Sequence, residues 1–84
     1  MPARGDFSFI VDKADRVVYE DMYAAITKAN AWASIKMDPD ERTMRQIKAN
    51  LADCVGPSSF ALRQMQCIAR QGWDEWVSAM TAHV

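Results

Sequence analysis

Residues 56–80 read GPSSFALRQMQCIARQGWDEWVSAM, and the spacing of their apolar side chains decides the fold. Leu62, Met65, Ile68 and Ala69 recur at helical spacing, as do Trp73, Trp76, Val77 and Met80 beyond Gly72. The segment therefore reads as two short helices sharing one apolar seam. Gly72 suits the left-handed position that ends a helix, because it has no Cβ to clash there. Ser58 or Ser59 is expected to cap the first of the two by accepting a backbone N–H bond from its first turn. Trp73 and Trp76, one turn apart, need a partner surface for their rings.

Upstream, Asp38-Pro39-Asp40-Glu41 supplies a capping Asp38, a proline at the first helical position and Glu41 at the capping-box position. Met44, Ile47, Leu51 and Val55 follow at helical spacing, and Gly56-Pro57 ends that helix. A hairpin of residues 39–71 together with the Trp-rich terminal helix is thus the expected centre of the molecule. Nearer the start, Asp12 reads as an N-cap with Asp15 behind it, opening a helix to about Ala29. Its stripe is Val18, Met22, Ala25, Ile26 and Ala29, flanked by Tyr19 and Tyr23. Asn30 breaks or caps it, and residues 31–37 give at most two turns with Trp32 and Ile35 facing inward. In residues 1–11, Phe7, Phe9 and Val11 alternate with other residues but find no second strand to pair with. They read as an extended arm pinned by its aromatic side chains. The expected fold is all-α, a compact bundle of four or five short helices forming one small domain over residues 1–84 with that short extended N-terminal arm.

Composition narrows the function. The chain has 84 residues, half of them apolar and a quarter charged, with a net charge of −1. This is a folded, soluble mixture, and the charge argues against a nonspecific nucleic-acid binder or a polyanionic DNA mimic. Cys54 and Cys67 lie on different expected helices without a CxxC motif or a nearby histidine, so no metal is expected. Buried free thiols are the favoured reading of the pair, with a disulfide between the two helices as the alternative. MPARGDFSF lacks the apolar run of a signal peptide, and no segment approaches the ~20 apolar residues that span a bilayer. A cytoplasmic protein that does not engage membranes is expected. His83 is penultimate in the chain, Gly5, Gly56 and Gly72 stand alone, and the adjacent acids Glu20/Asp21 and Asp74/Glu75 point apart on a helix. No catalytic residue, no metal ligand and no cofactor is assigned, and the protein is expected not to be an enzyme.

Two resemblances bear on partners. Around Leu51-Ala52-Asp53-Cys54-Val55-Gly56-Pro57-Ser58 a small residue precedes glycine by one helical turn, and Leu62 and Met65 follow where a second helix packs back. This resembles the helix-turn-helix family over residues 47–70. The resemblance implies a DNA-binding transcriptional regulator, working as a homodimer, with Ser58, Ser59, Arg63 and Gln64 toward the major groove and Arg70 as a further cation. Pro57 departs from the family, which prefers a β-branched residue there. More of the chain is involved in the second. Tyr19, Asp21, Tyr23, Ala25, Ile26 and Trp32, followed by Gly56, Ser58, Ser59, Phe60, Leu62, Arg63, Met65, Ile68, Ala69, Gly72, Trp73 and Trp76, resemble a group of small proteins of tailed phages and large DNA viruses. Ser34 stands where that group has a second tryptophan. This resemblance implies a viral or mobile-element origin and no reaction.

Tyr19, Tyr23, Trp32, Trp73 and Trp76 are more large rings than a bundle of this size must hide. With Arg63 they form the expected partner-binding set, since tyrosine, tryptophan and arginine dominate interface hot spots. The leading expectation is a non-enzymatic phage protein that binds and occludes a host protein complex, as an anti-CRISPR-like inhibitor of host defence does.

Overall fold

The computed structural model describes residues 1–52 and 58–82. Five helices follow the arm: α1 (Lys13–Lys28), α2 (Trp32–Ile35), α3 (Glu41–Asn50), α4 (Ser58–Gln71) and α5 (Trp73–Thr81). Among the described residues there is no strand, so the all-α expectation holds. The molecule measures 37 × 25 × 19 Å, and its helices pack around one core.

α1 begins where Asp12 adopts an extended backbone and its Oδ1 accepts the Asp15 N–H at 3.1 Å. It ends in a paired closure at Asn30, the one non-glycine residue with positive φ (54°) among the described residues. The Ala31 N–H donates to the Ile26 carbonyl and the Asn30 N–H to that of Thr27, both at 3.0 Å. That is the Schellman arrangement, and Ile26 and Ala31 are both buried beside it.

α3 starts two residues later than the sequence suggests. Asp40, not Asp38, is the cap, its Oδ1 accepting the Thr43 N–H at 2.6 Å, and Pro39 precedes the helix. The reason is tertiary. The Arg70 guanidinium holds the Lys36 carbonyl (2.6 Å) and the Gln66 amide holds that of Met37 (3.3 Å). The chain must leave α4 before α3 can lie on α1, and residues 38–40 make that crossing. α3 is also shorter than expected: the Leu51 N–H closes on the carbonyls of Ile47 and Lys48, and the Asn50 amide donates to the Ala25 carbonyl of α1 at 3.1 Å. Val55, Gly56 and Pro57 lie outside the described residues.

The expected hairpin of residues 39–71 is not the centre. α4 packs chiefly on α1, with α5 and α2 beside it, while α3 packs on α1. Ile26, Ile35, Ile47, Ala61 and Met65 have no exposed surface, so α1 to α4 each contribute to one continuous core. At Gly72 the expected positive φ is present (99°), but ψ of 156° takes the residue out of the left-handed helical region. Gly72 closes α4 through its N–H on Ile68 (2.9 Å) and opens α5 through its carbonyl on the Trp76 N–H (3.1 Å). One residue thus turns the chain between two helices.

The arm is not extended. Its Asp6 N–H bonds the Ala3 carbonyl and its Ile10 N–H the Phe7 carbonyl, making two successive tight turns. Asp6 Oδ1 also accepts the Ser8 N–H at 3.0 Å. These turns satisfy the backbone locally, where no second strand exists to do so.

Candidate functional site

Phe7 is 1% exposed and sits at the centre of a ring cluster built from the arm, α1 and α5. It stacks on Tyr19 at 5.9 Å and meets Tyr23, Trp73 and Trp76 edge-on at 5.6, 5.3 and 5.8 Å. Edge-to-face packing of this kind aligns ring edges with π faces and adds to simple area burial. Both indole N–H groups are satisfied: Trp73 donates to the Pro2 carbonyl (2.8 Å) and Trp76 to Gln64 Oε1 (2.9 Å). Tyr19, Trp73 and Trp76, expected at a partner surface, are therefore core residues. The arm supplies the ring that encloses them, and no surplus is left at those three positions.

The remaining members of the expected set lie elsewhere. Tyr23 and Trp32 are half-buried and pack on one another with ring centroids 4.7 Å apart. Trp32 is held in place by its indole N–H on Thr27 Oγ1 at 2.9 Å. The Arg4 guanidinium lies over the Trp32 ring, 5.2 Å from its centroid. Gly5, at φ 89°, lets the arm approach: a Cβ there would fall 3.0 Å from the Tyr23 ring. The structure thus assembles a surface cluster of Arg4, Trp32 and Tyr23 from the arm, α2 and α1. Arg4 carried no periodic or motif signal, and only the arm's docking brings it to Trp32.

A second exposed patch occupies the start of α4. Ser58, Ser59, Phe60 and Arg63 are exposed there, and Phe60 keeps 45% of its surface in solvent while its ring leans on Tyr19 at 5.9 Å. Both serines lie in the first described turn of α4, which directly follows residues outside the described ones. Of the residues expected to read DNA, Gln64 is engaged by Trp76 and Arg70 by the Lys36 carbonyl. The packing of α3 on α1 also differs from the paired helices of a helix-turn-helix.

Elsewhere the surface carries a polar groove of about 470 Å³ between the end of α1, α2 and the start of α3, lined by Lys28, Asn30, Ser34, Asp40, Arg42 and Thr43 among others. Asp40 is held below the usual carboxylate value by the Thr43 N–H it accepts, with a smaller effect of Arg42. Asp6 is lowered in the same way by the Ser8 N–H. Burial pushes the Tyr19 phenol up, helped by the nearby charge of Asp15. These are the signatures of a cap, a turn and a core ring. Among the described residues no group of three or more His, Cys, Asp and Glu side chains gathers to hold a metal ion. No helix among them is long and apolar enough to cross a membrane. Cys67 is a half-buried free thiol, while Cys54 and His83 lie outside the described residues.

No protein-family model, no curated protein and no solved structure matches the chain.

Proposed function

We propose that the protein is a non-enzymatic phage or mobile-element protein that acts in the host cytoplasm by binding and occluding a host protein complex. An anti-CRISPR-like inhibitor of host defence is the concrete form of this reading. What supports it most is the Arg4–Trp32–Tyr23 cluster at the surface. A tryptophan pre-oriented by Thr27 and flanked by arginine and tyrosine buries contact area while losing little rotamer freedom, as interface anchors do. The resemblance to small viral proteins supplies the biological setting.

The experiment is plasmid interference in a bacterial host with an active CRISPR system, with and without the protein. Transformation by a targeted plasmid should recover when the protein is expressed, and Trp32→Ala or Arg4→Glu should cancel the recovery at equal expression. No recovery with any interference type tested, from a soluble and folded protein, would overturn the inhibitor reading.

A DNA-binding homodimer remains the second reading, favoured by one observation: Ser58, Ser59 and Arg63 all face solvent on the first turns of α4. It requires duplex binding that weakens steeply with salt and is lost in Arg63→Glu. Absence of binding at low salt would remove it.

A further inference from the structure

The arm carries the ring at the centre of the cluster, yet it is joined to the body by very little backbone structure. Its own hydrogen bonds, among Ala3, Asp6, Phe7, Ser8 and Ile10, close within it. On the other side, Asp12 accepts from Asp15 and Arg16, which belong to α1. Val11 stands between these two units, 97% exposed, and among the described residues no backbone–backbone hydrogen bond crosses it; the Trp73 indole N–H on the Pro2 carbonyl is the hydrogen bond that ties the arm to the body. The arm is a folded plug held by side-chain contacts and joined to α1 through an exposed link.

We infer that the cleft formed by Tyr19, Tyr23, Trp73 and Trp76 also accepts the arm of a second copy, giving a dimer with exchanged arms hinged at Val11. The occupant is identified by fit. The arm's Phe7 fills the cleft, its Pro2 carbonyl meets the Trp73 N–H, and its Arg4 covers Trp32. Each contact is remade unchanged when the arm comes from the partner copy. The contacts therefore cancel between closed monomer and exchanged dimer, and concentration and hinge length set the balance. A short flexible link keeps the arm near its own cleft at an effective concentration on the order of 1 mM, so exchange competes at about that concentration. In the exchanged dimer each Arg4–Trp32–Tyr23 cluster draws its arginine from one copy and its rings from the other. This inference stands independently of the function proposed above.

The test is to refold the full chain at about 1 mM and at about 10 μM, then size both by light scattering immediately after dilution. The concentrated sample should contain dimer that returns slowly to monomer, since the arm must leave the cleft first. Deleting Val11 shortens the hinge by about 3.5 Å and takes a copy's own cleft out of easy reach, so that chain should be mainly dimer. Within the deleted chain no closed monomer offsets lost contacts. Phe7→Ala should then return it to monomer, and Trp73→Phe, which keeps a ring but removes the bond to Pro2, should weaken the dimer roughly fivefold per arm. Helical circular dichroism verifies that each variant is folded. Monomer alone from both the concentrated refolding and the deleted chain overturns the inference. So does a dimer of the deleted chain that is unaffected by Phe7→Ala and Trp73→Phe.

Discussion

At Gly72 a Cβ would meet nothing within 4 Å, so the demand for glycine there is purely conformational. A φ of 99° with ψ of 156° is a region that residues with a side chain scarcely enter. Gly72→Ala should therefore lose about 1–3 kcal/mol through backbone strain alone. The measurement is urea unfolding, with a lower midpoint at unchanged slope; an unchanged midpoint would mean that α4 and α5 join in another way. Tyr19 makes a different kind of prediction. Burial raises its phenol above the ordinary 10.0, with the charge of Asp15 as a smaller cause, so the fold favours the neutral ring. Its contribution is fully present below the unfolded value near 10.0 and is lost as pH rises through the raised folded value. Tyr19→Phe should flatten the decline of stability in that alkaline window. An equally steep decline in the variant would assign it to other groups.

At the scale of an element, α3 shows how far a local signal reaches. Asp38 and Asp40 are both able caps, and Pro39 with Glu41 makes the earlier start look better by local rules. The deciding contacts are Arg70 to Lys36 and Gln66 to Met37, which join residues far apart in sequence. Local pattern carries no trace of them. Asp40→Ala should lower stability and Asp38→Ala should leave it unchanged; the reverse result would restore the earlier start. The pH dependence follows from the lowered Asp40 carboxyl, bonded first by Thr43 and assisted by Arg42. Its stabilisation is present above the unfolded value of 3.8 and disappears as pH falls through the depressed folded value. Asp40→Ala should thus remove part of the acid sensitivity between those values, seen as a smaller difference between unfolding midpoints at neutral and acid pH. By contrast, α1 and the two helices of residues 58–81 were legible, because each has a long apolar period and a cap or glycine at its end. The partner of α3 was not, since its stripe around Ile47 fits any apolar groove, whether on α4 or on α1.

Across the whole molecule, the fate of the aromatic residues turns on twelve residues that carry no helix. Periodicity identified the rings of Tyr19, Tyr23, Trp32, Trp73 and Trp76 but said nothing about where Phe7 would insert. Once Phe7 lies among four of them, Tyr19, Trp73 and Trp76 belong to the core. Trp32 stays at the surface, tied by Thr27 and covered by Arg4. Two tryptophan variants should therefore part company. Trp76→Ala opens a cavity among four packed rings and leaves Gln64 without its donor, a loss of about 3–5 kcal/mol. Against the roughly 5–15 kcal/mol that holds a small domain together, that is a large share of the stability, and the Tm should fall steeply. Trp32→Ala gives up a half-exposed ring and one side-chain bond, so helical circular dichroism should persist with a modestly lower Tm. Under the proposed function it should nevertheless abolish protection of a targeted plasmid, as a lost interface anchor does. The pair separates stability from binding in one experiment. Protection that survives in a folded Trp32→Ala protein would move the contact surface away from this cluster, and the exposed Phe60 and Arg63 of α4 would be the next residues to replace.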